Sequence, residues 1–519
     1  MSPFVRHVAS LRGAPRGSSL STQAVLAGLV LGAVTCASAT DWPQYRGPNH
    51  DGSYPGSLTT NWTGSATTPV WRMTLGKGFS SFAVSQAKAI TQVYRNSKET
   101  CIALSITNGA ELWATALESG QNYLGYDGPR STPSIDQDSV YVLTSNLKLL
   151  RLNLANGAIV WSNNLMTAFG AGIIGYAGAA SPLLDGGLIY VNLNTGNQSL
   201  AAFWAANGAP AWRAEDELTT HSTPVAATIL GVRQVIFATQ NGLVSLHAAN
   251  GQKLWDYPYP NGYNGVCLGG SPVVWSNIVF ISQSYTPCST AAQIGFAGGA
   301  WSATHLWDKP IGMIWMTPVC FQGAVYGPTG DNGSSTSPLV CLDLMTGGLL
   351  WSYDGFGRGS VTLAGDLILG LSEAGWLRLI RPDTRAYTEL GSFQALDSGN
   401  CWNSIAIADG RVYARSTSSQ AACFDLSPPN LPQPDLRLDP LAWAGPDKFR
   451  LTVRAADGTP VDSSRLAGIE VLASPSLVLP PSQWSRLTNS LVLTNGMACI
   501  DDLDAAGGQA EFFMVAEPK

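Results

Sequence analysis

The sequence predicts an all-β protein whose main part is an eight-bladed β-propeller. The first observation is a refrain, an Asn-Gly or Thr-Gly turn with tryptophan four residues after the glycine, written five times at Trp113, Trp161, Trp212, Trp255 and Trp351. A sixth, degenerate copy ends at Trp307, and subtracting successive positions gives gaps of 48, 51, 43, 52 and 44 residues. Such a period indicates a repeat architecture. Composition is a further observation, because 55 glycines and only 12% charged residues are typical of a turn-rich β protein.

The repeat divides most of the chain into units of short strands. Alternating runs such as Ser139 to Leu143 and Gly187 to Val191 are bounded by Gly and Asn turns, which indicates β-strands. The predicted units cover residues 78–113, 131–161, 180–212, 222–255, 270–307, 316–351, 359–388 and 403–426. Four short strands per unit and eight units predict a propeller over residues 41–426.

The eighth unit ends at Leu426 without a fourth strand, whereas Val70 to Leu75 is a strand without a unit. Trp71 stands in that strand where Trp113 stands in the first unit. We therefore expect Val70 to Leu75 to complete the last blade, which closes the ring and removes two exposed sheet edges. The repeated tryptophans, with Trp71 included, are expected to pack between neighbouring blades as large apolar anchors.

The two ends of the chain have other compositions. Residues 1–39 carry three arginines, an apolar run from Ala24 to Val34 and an Ala-Ser-Ala site, which predicts a secretory signal peptide. Its removal changes the net charge from −6 to about −9, which argues against nucleic acid as a partner. Cys36 raises the alternative of a lipoprotein, but Thr35 is bulkier than the residue usual at that cleavage.

No later segment approaches roughly 18 consecutive apolar residues, so no membrane span is predicted. We expect a periplasmic, extracellular or cell-surface protein. Residues 427–435 form a proline-rich linker, and strand-like runs in residues 436–519 predict a small β domain with no recognisable chemistry.

One constellation suggests a binding site. In a four-strand meander the refrain's turn joins strands three and four, so the residues just before each innermost strand surround the channel mouth on the opposite face. Aligning the units by their Ser-x-Pro and Val-Tyr landmarks gives one such residue per blade, and we call the set the ring: Phe79, Arg130, Ala179, His221, Gly269, Trp315, Arg358 and Trp402.

The ring combines arginines with aromatic side chains. Arginine suits a carboxylate or phosphate, and a tryptophan face suits a planar or sugar ring. The sequence therefore predicts an anionic or planar ligand, or a peptide segment of a protein partner, held over the channel. The alternative is that these side chains fill the channel and pair with acids such as Asp127 or Asp397.

The refrain, with Ala103 six residues before Gly109 and Asp343 four before Gly347, resembles the tryptophan-docking motif of the pyrroloquinoline-quinone (PQQ) propeller superfamily. This resemblance implies eight blades over nearly all of residues 41–426. The superfamily includes quinoprotein alcohol dehydrogenases and non-enzymatic propellers such as the outer-membrane-assembly lipoprotein BamB. The dehydrogenases place two adjacent cysteines beside the quinone, and no two cysteines are adjacent here.

Other motifs carry little chemistry. Gly170 to Gly175 matches a dinucleotide-binding pattern but lies between blades, so we interpret it as a loop. The segment from Asp502 to Gly507 begins like a calcium loop, lacks the later ligands and is interpreted as a turn. The four histidines beyond the signal, His50, His221, His247 and His305, have no zinc-binding spacing.

The eight cysteines after Cys36 leave two interpretations open. Their even number suits an oxidising compartment, and three spacings look paired: Cys267 with Cys288, Cys320 with Cys341, and Cys401 with Cys423. Against this, Cys341 and Cys423 occupy the same repeat register, where a small buried hydrophobic residue would serve.

These observations predict a binding or scaffolding protein of the BamB-like, non-catalytic kind, with no catalytic residue and no resident cofactor. The alternative is a quinoprotein oxidoreductase in which the ring holds PQQ with calcium. A second alternative, a carbohydrate-associated cell-surface protein, is suggested by the aromatic content and the appended β domain.

Overall fold

The computed structural model describes residues 9–10, 41–120, 128–259, 263–284, 288–313, 315–330, 337–397 and 399–428, and in the C-terminal part 436–439, 442–445, 448–455, 461, 463–466, 468–475, 483–494, 497–504 and 512–516. Its contacts divide the chain into two compact units, residues 39–428 and residues 1–38 with 429–519. The predicted cleavage site and Cys36 lie outside the described residues, and the signal peptide stays a prediction.

The described part of the larger unit contains eight antiparallel blades of four strands each, which confirms the predicted propeller. A two-residue strand, Ser53–Tyr54, pairs in parallel with Ser360–Ala364 and adds a fifth strand to that blade. The strands of blades 1 to 4 are Ala83–Ser85, Lys88–Arg95, Lys98–Ser105, Glu111–Ser119; Ser134–Asp136, Ser139–Leu143, Lys148–Asn153, Ile159–Asn164; Leu183–Asp185, Leu188–Asn192, Leu200–Trp204, Pro210–Ala214; and Val225–Ile229, Val232–Ala238, Gly242–His247, Lys253–Pro258. Blades 5 to 8 follow as Val273–Trp275, Ile278–Ser282, Ser289–Ala297, Ala300–Lys309; Val319–Phe321, Ala324–Pro328, Leu339–Asp343, Leu349–Tyr353; Ser360–Ala364, Leu367–Leu371, Trp376–Arg381, Thr388–Gln394; and Ala406–Ala408, Arg411–Arg415, Gln420–Asp425 with Pro69–Thr74.

The ring of blades is closed as predicted by the strand Pro69–Thr74, which pairs antiparallel with Gln420–Asp425 and sets Trp71 opposite Cys423. Arg415 adds a second tie between the last and first blades. Its fully buried guanidinium donates to Thr91 Oγ1 at 2.8 Å and to the Gln92 carbonyl at 3.0 Å. Because burial lowers the pKa of Arg415 to about 9, these hydrogen bonds replace water around a charge that the fold has desolvated.

Two local predictions need correction, whereas the predicted loop at Gly170 is confirmed. The fourth strand of blade 7 is Thr388–Gln394, beyond the predicted end of that unit at residue 388, because this strand has no tryptophan to mark it. A short helix, Leu165–Phe169, precedes the Gly170 loop, and Asn164 caps it by accepting from the Thr167 N–H. Asp502 to Asp504 end the strand Met497–Asp504 and are not a turn, while residues 505–507 lie outside the described part.

The smaller unit contains two sheets. One consists of Leu436–Leu438, Ala442–Gly445, Lys448–Ala455, Met497–Asp504 and Val492–Thr494, and the other of Ala9–Ser10, Phe512–Ala516, Glu470–Ser474 and Ser485–Arg486. A four-residue helix, Ser463–Leu466, accompanies them. Side chains of both sheets, among them Leu451, Ile500, Val471 and Phe513, share one apolar cluster.

The refrain has a specific packing role. Each of five tryptophans lies against the glycine of the refrain in the next blade, and an ideal Cβ on that glycine would approach the indole to 2.5–3.0 Å, in the pairs Trp71 with Gly109, Trp113 with Gly157, Trp161 with Gly208, Trp212 with Gly251 and Trp307 with Gly347. The same indoles donate Nε1–H to a carbonyl of that next blade, at 3.0 Å from Trp113 to Leu154 for example.

Two tryptophans depart from this pattern. Trp351 donates to the Asp383 carbonyl at 2.6 Å, in a blade whose turn has no Asn-Gly. Trp255 donates to Gln234 Oε1 at 2.8 Å, a residue of its own blade. The indole of Trp255 is still buried among residues of blades 4 and 5, so its apolar contact spans the two blades like the others.

We predict that Gly157→Ala destabilises the propeller more than Gly186→Ala does. Both glycines have positive φ, +73° and +58°, which costs alanine about 1 kcal/mol in each case. A methyl group at Gly157 would also collide with Trp113, which adds about 1 to 3 kcal/mol, whereas nothing lies within 4 Å of one at Gly186. Urea unfolding of the two variants measures the difference, and equal losses would contradict the docking role of Gly157.

Candidate functional site

All eight ring residues line one cavity of about 480 Å³ at the centre of the propeller. Each of them precedes the first strand of its blade, and the first strands of neighbouring blades lie against one another around the central axis. The cavity volume is within the range of sites that bind small molecules. The ring is therefore one continuous wall, to which every blade contributes the residue at the same register.

A belt of hydroxyl groups lies directly below the ring. Two residues after its ring residue every blade carries serine or threonine: Ser81, Thr132, Ser181, Thr223, Ser271, Thr317, Ser360 and Ser404. The N–H of Ser81 donates to Thr132 Oγ1, and the steps from Thr132 to Ser181, from Ser181 to Thr223 and from Ser271 to Thr317 repeat this bond, each at 2.9 Å. The hydroxyl groups of the belt join neighbouring inner strands, so their role is structural. The residues that differ in chemical type from blade to blade are those of the ring above.

Aromatic rings and guanidinium groups follow one another along one side of the ring. The Arg358 Cζ lies 5.2 Å from the Trp402 ring centroid, Trp402 stacks on Phe79 at 6.2 Å, and the Arg130 Cζ lies 4.8 Å above Phe79. Trp315 packs against Trp402 with centroids 5.2 Å apart. These cation–π and aromatic contacts hold the side chains in fixed positions before any ligand arrives.

The acid that pairs with Arg358 is Glu373. Its Oε1 lies 3.3 Å from Arg358 Nη2 and accepts from Trp402 Nε1 at 2.8 Å, while its Oε2 accepts from the Arg358 N–H at 3.1 Å. Of the acids proposed from the sequence, Asp397 instead lies 3.9 Å from Arg72, and Asp127 lies outside the described residues. The ring side chains therefore do pair with acids in part, as one sequence interpretation held, but through a residue from a later loop of blade 7.

His221 contributes a neutral group at ordinary pH. Its Nε2–H donates to the Gly175 carbonyl at 2.9 Å, and its ring packs edge-on against Tyr176. Burial, followed by the nearby charge of Arg130, lowers the pKa of His221 to about 4. The fixed positive charges of the ring are consequently those of Arg130 and Arg358.

The opposite side of the ring carries a small residue on each side of His221. Ala179 of blade 3 and Gly269 of blade 5 leave room there, and Val266 and Cys267 line the cavity beside them. The cavity is therefore asymmetric, with an aromatic and basic wall facing an open one.

The floor of the cavity comes from an N-terminal segment for which the sequence analysis predicts no structural role. Tyr45 lines the cavity from below, and its hydroxyl lies 3.3 Å from Thr317 Oγ1 of the belt. It belongs to residues 41–54, which we call the N-terminal strap. Polar groups of the strap bond to residues of seven blades: Val84, Ile135, Leu184, Ala226, Thr317 with Pro318, Leu363 and Gly410.

Five of these contacts share one register. They fall five positions after the ring residue of the same blade, as in Phe79 and Val84, Arg130 and Ile135, Ala179 and Leu184, His221 and Ala226, and Arg358 and Leu363. The channel therefore has three tiers, the ring, the belt and the strap. The sequence contains one signal for the strap, which is that a Gly- and Pro-containing segment without a repeat pattern directly follows the predicted signal peptide.

Cys267, Cys320, Cys341, Cys401 and Cys423 are free thiols, so the three sequence-based pairings do not form. Cys320 and Cys341 lie on the first and third strands of blade 6, separated by Ala324–Pro328. Two strand spacings make about 9.5 Å, beyond the reach of a disulfide. Burial raises the pKa of Cys341 to about 11 and of Cys423 to about 12, as expected for cysteines that serve as small hydrophobic residues.

The residues of the site do not fit calcium-bound PQQ. Calcium needs six to eight oxygen ligands, largely from carboxylates. The described residues contain no group of three His, Cys, Asp or Glu side chains that could hold a metal ion. Glu373, the acid next to the ring, is bonded to Arg358 and Trp402. The arginines and aromatic faces suit the anionic, planar character of a quinone, but the described residues offer no cluster of three His, Cys, Asp or Glu side chains for the calcium that accompanies it.

Eight blades joined by tryptophan docking, with the ring over a central cavity, define the chain as a PQQ-like β-propeller. The family model described as "Outer membrane protein assembly factor BamB" matches residues 56–174 and 103–353, more than half of the chain. The protein belongs to this family. No curated protein sequence matches it significantly.

The fold agrees with that of a solved structure whose TM-score exceeds 0.5. The quinohemoprotein alcohol dehydrogenase of Comamonas testosteroni is similar with a TM-score of 0.55 at 12% identity, covering 78% of this chain and 83% of its own. BamB of Moraxella catarrhalis has a TM-score of 0.49 at 17% identity and covers 70% of this chain and 98% of its own. At such identities the likeness concerns the fold alone. Among the residues described, no helix is long and apolar enough to cross a membrane.

We predict that His221 titrates near pH 4, well below the ordinary histidine, because charging it inside the ring loses hydration and meets Arg130. Since its pKa is lower in the folded state, the unfolded chain binds the proton first, and stability falls as the pH drops from about 6.5 towards 4. Proton-detected titration of the histidine side chains measures the midpoint. His221→Gln should weaken the pH dependence of stability in that window, and a midpoint near 6.5 would contradict the burial argument.

Proposed function

We propose that this protein is an exported, non-catalytic binding protein whose ligand site is the ring-lined cavity. The observation that carries the proposal is the convergence of all eight ring residues on one cavity with a floor at Tyr45. Two arginines, a histidine and three aromatic residues at that place support a role in recognition.

The chemistry of the wall supports a planar or anionic ligand, or a protruding segment of a partner protein with such a side chain. Trp315 and Trp402 offer aromatic faces, and the guanidinium groups of Arg130 and Arg358 line the same cavity. The paired N–H groups of an arginine guanidinium bind carboxylates, and aromatic faces stack on planar groups. The family description, an assembly factor, supports a protein partner at this face.

The case for a non-catalytic role comes from the lining groups. Catalysis by proton transfer or by a covalent step needs a base or a nucleophile with a suitable pKa within reach. Among the described residues that line the cavity there is no carboxylate, His221 has a pKa of about 4, and burial raises the pKa of the Cys267 thiol. These groups hold and orient a ligand better than they transform one.

A quinoprotein oxidoreductase is the second candidate, and the aromatic and arginine wall favours it because PQQ is planar and anionic. The sequence lacks adjacent cysteines, and the described residues lack a calcium ligand set. Titration with PQQ and Ca²⁺, followed by quinone absorbance and by dye reduction with alcohols and aldoses, separates the two functions. We expect no turnover; tight binding with dye reduction would make the protein an enzyme.

We predict that an aromatic carboxylate such as 2-naphthoate binds the wild type and that Arg130→Ala with Arg358→Ala weakens binding at least about ten-fold. Hydrogen bonds to a charged partner contribute about 1.5 to 3 kcal/mol each, and the double variant removes both guanidinium groups. Isothermal calorimetry measures the affinities. Arg385→Ala, which removes an exposed arginine paired with Asp383, is the matched control.

A second variant tests the same site without removing any contact. Ala179→Trp should fill the open side of the cavity and exclude the ligand, while the belt below it stays intact. Thermal unfolding of all variants checks that they are folded. Unchanged binding in both the double arginine variant and Ala179→Trp would show that the ring is not the ligand site.

A further inference from the structure

The N-terminal strap is bound to the lower end of the channel as a peptide ligand is bound to a receptor. Trp42 forms a two-way bridge with Val84, with N···O distances of 2.9 and 2.7 Å, and the residue is 2% exposed. The Ile135 N–H donates to the Pro43 carbonyl at 2.7 Å. Proline has no N–H to offer, so at this position the strap accepts from the blade.

Side chains extend this recognition to further blades. The Gln44 amide accepts from the Leu184 N–H at 3.1 Å and donates to the Leu184 carbonyl at 3.2 Å, as a neighbouring strand would. Arg46, which is buried, donates to the Thr317 carbonyl at 3.2 Å and the Pro318 carbonyl at 2.9 Å. Each of these side chains matches a backbone group that an inner strand leaves available towards the axis.

The strap also packs on itself. Gly47 has φ of +77°, and a Cβ there would come within 2.8 Å of the Trp42 ring. Gly52, also at +77°, would bring a Cβ within 2.9 Å of the Arg46 guanidinium. The two glycines therefore allow a compact coil that presents Trp42 and Arg46 outward to the blades, and other residues at these places would strain it.

We propose that the lower end of the channel is a polypeptide-binding site, specific for the sequence Trp-Pro-Gln-Tyr-Arg-Gly, and that the strap fills it as an intramolecular ligand. The site holds its ligand through backbone pairing at several blades and through Gln44, Arg46 and the buried indole of Trp42. The strap is tethered by a connection of 14 residues, 55–68, to the closing strand at Pro69. A short tether gives a high effective concentration, so the chain's own strap outcompetes that of a second copy.

This inference is independent of any ligand in the ring, because it concerns the tier below the belt. Tyr45 of the strap lines the cavity, so the strap closes the channel below the belt. The inference also gives the segment directly after the predicted signal peptide a role in the folded protein.

The test separates the strap from the body after folding. A protease recognition sequence is inserted in the full chain between Thr60 and Asn61, both exposed, and the folded protein is cut there. We expect the N-terminal fragment to stay with the body through size-exclusion chromatography. A labelled synthetic peptide of residues 41–60 should then exchange into the cut protein with one-to-one stoichiometry.

Variant peptides examine the recognition while the body remains wild type, so folding of the body is not at issue. Gln44→Ala and Arg46→Met peptides should bind at least ten-fold more weakly than the wild-type peptide. Asn49→Ala is the matched control, since Asn49 is exposed in the same segment, and it should bind like the wild type. Elution of the wild-type fragment apart from the body, or equal affinities of all peptides, would overturn the proposal; transfer of fragments between cut copies at the same affinity would support it.

Discussion

The contact of an indole with a glycine of the next blade is the interaction on which the rest of the structure depends. A four-stranded blade has two faces to cover and little core of its own, so it is stable only against its neighbours. The refrain supplies the required surface from both sides: the tryptophan gives apolar area and one N–H, and the glycine gives the space and the positive φ that its tight turn requires. Where the glycine is missing, as in blade 7, the indole of Trp351 still finds a carbonyl of the next blade.

Because the blades share one register, the lining of the central channel also has a regular pattern. Residues at equal positions in the inner strands come to equal heights around the axis, which produces the ring, the hydroxyl belt and the tier that contacts the strap. In the lower two tiers many polar groups form hydrogen bonds between strands or with the strap, for example Ser81 with Thr132 and Leu184 with Gln44. The ring alone varies freely from blade to blade, and it is there that arginines, aromatic residues and small residues are distributed unevenly.

The electrostatics of the ring suit recognition more than chemistry. Glu373 orients Arg358 and Trp402 together, so the cation and the indole face the cavity as one unit. His221 stays neutral because its charged form would be desolvated beside Arg130. Such a wall is preorganised and changes little with pH near neutrality. Preorganisation lowers the cost of ordering side chains when a ligand binds.

The sequence by itself determined the blades, the closing strand and the membership of the ring, because each of these follows from a local pattern repeated at a known spacing. The fourth strand of blade 7 lacked that pattern, and its boundary was wrong. Only the tertiary structure decided the partner of Arg358, the free state of Cys320 and Cys341, and the place of the N-terminal strap. These depend on groups distant in the chain, such as Gln44 and Leu184, that no spacing relates. A repeated sequence pattern predicts the strands and the ring residue of every blade. The contacts of the strap cannot be predicted in this way, because the strap lies outside the repeat and its partners come together only in the folded propeller.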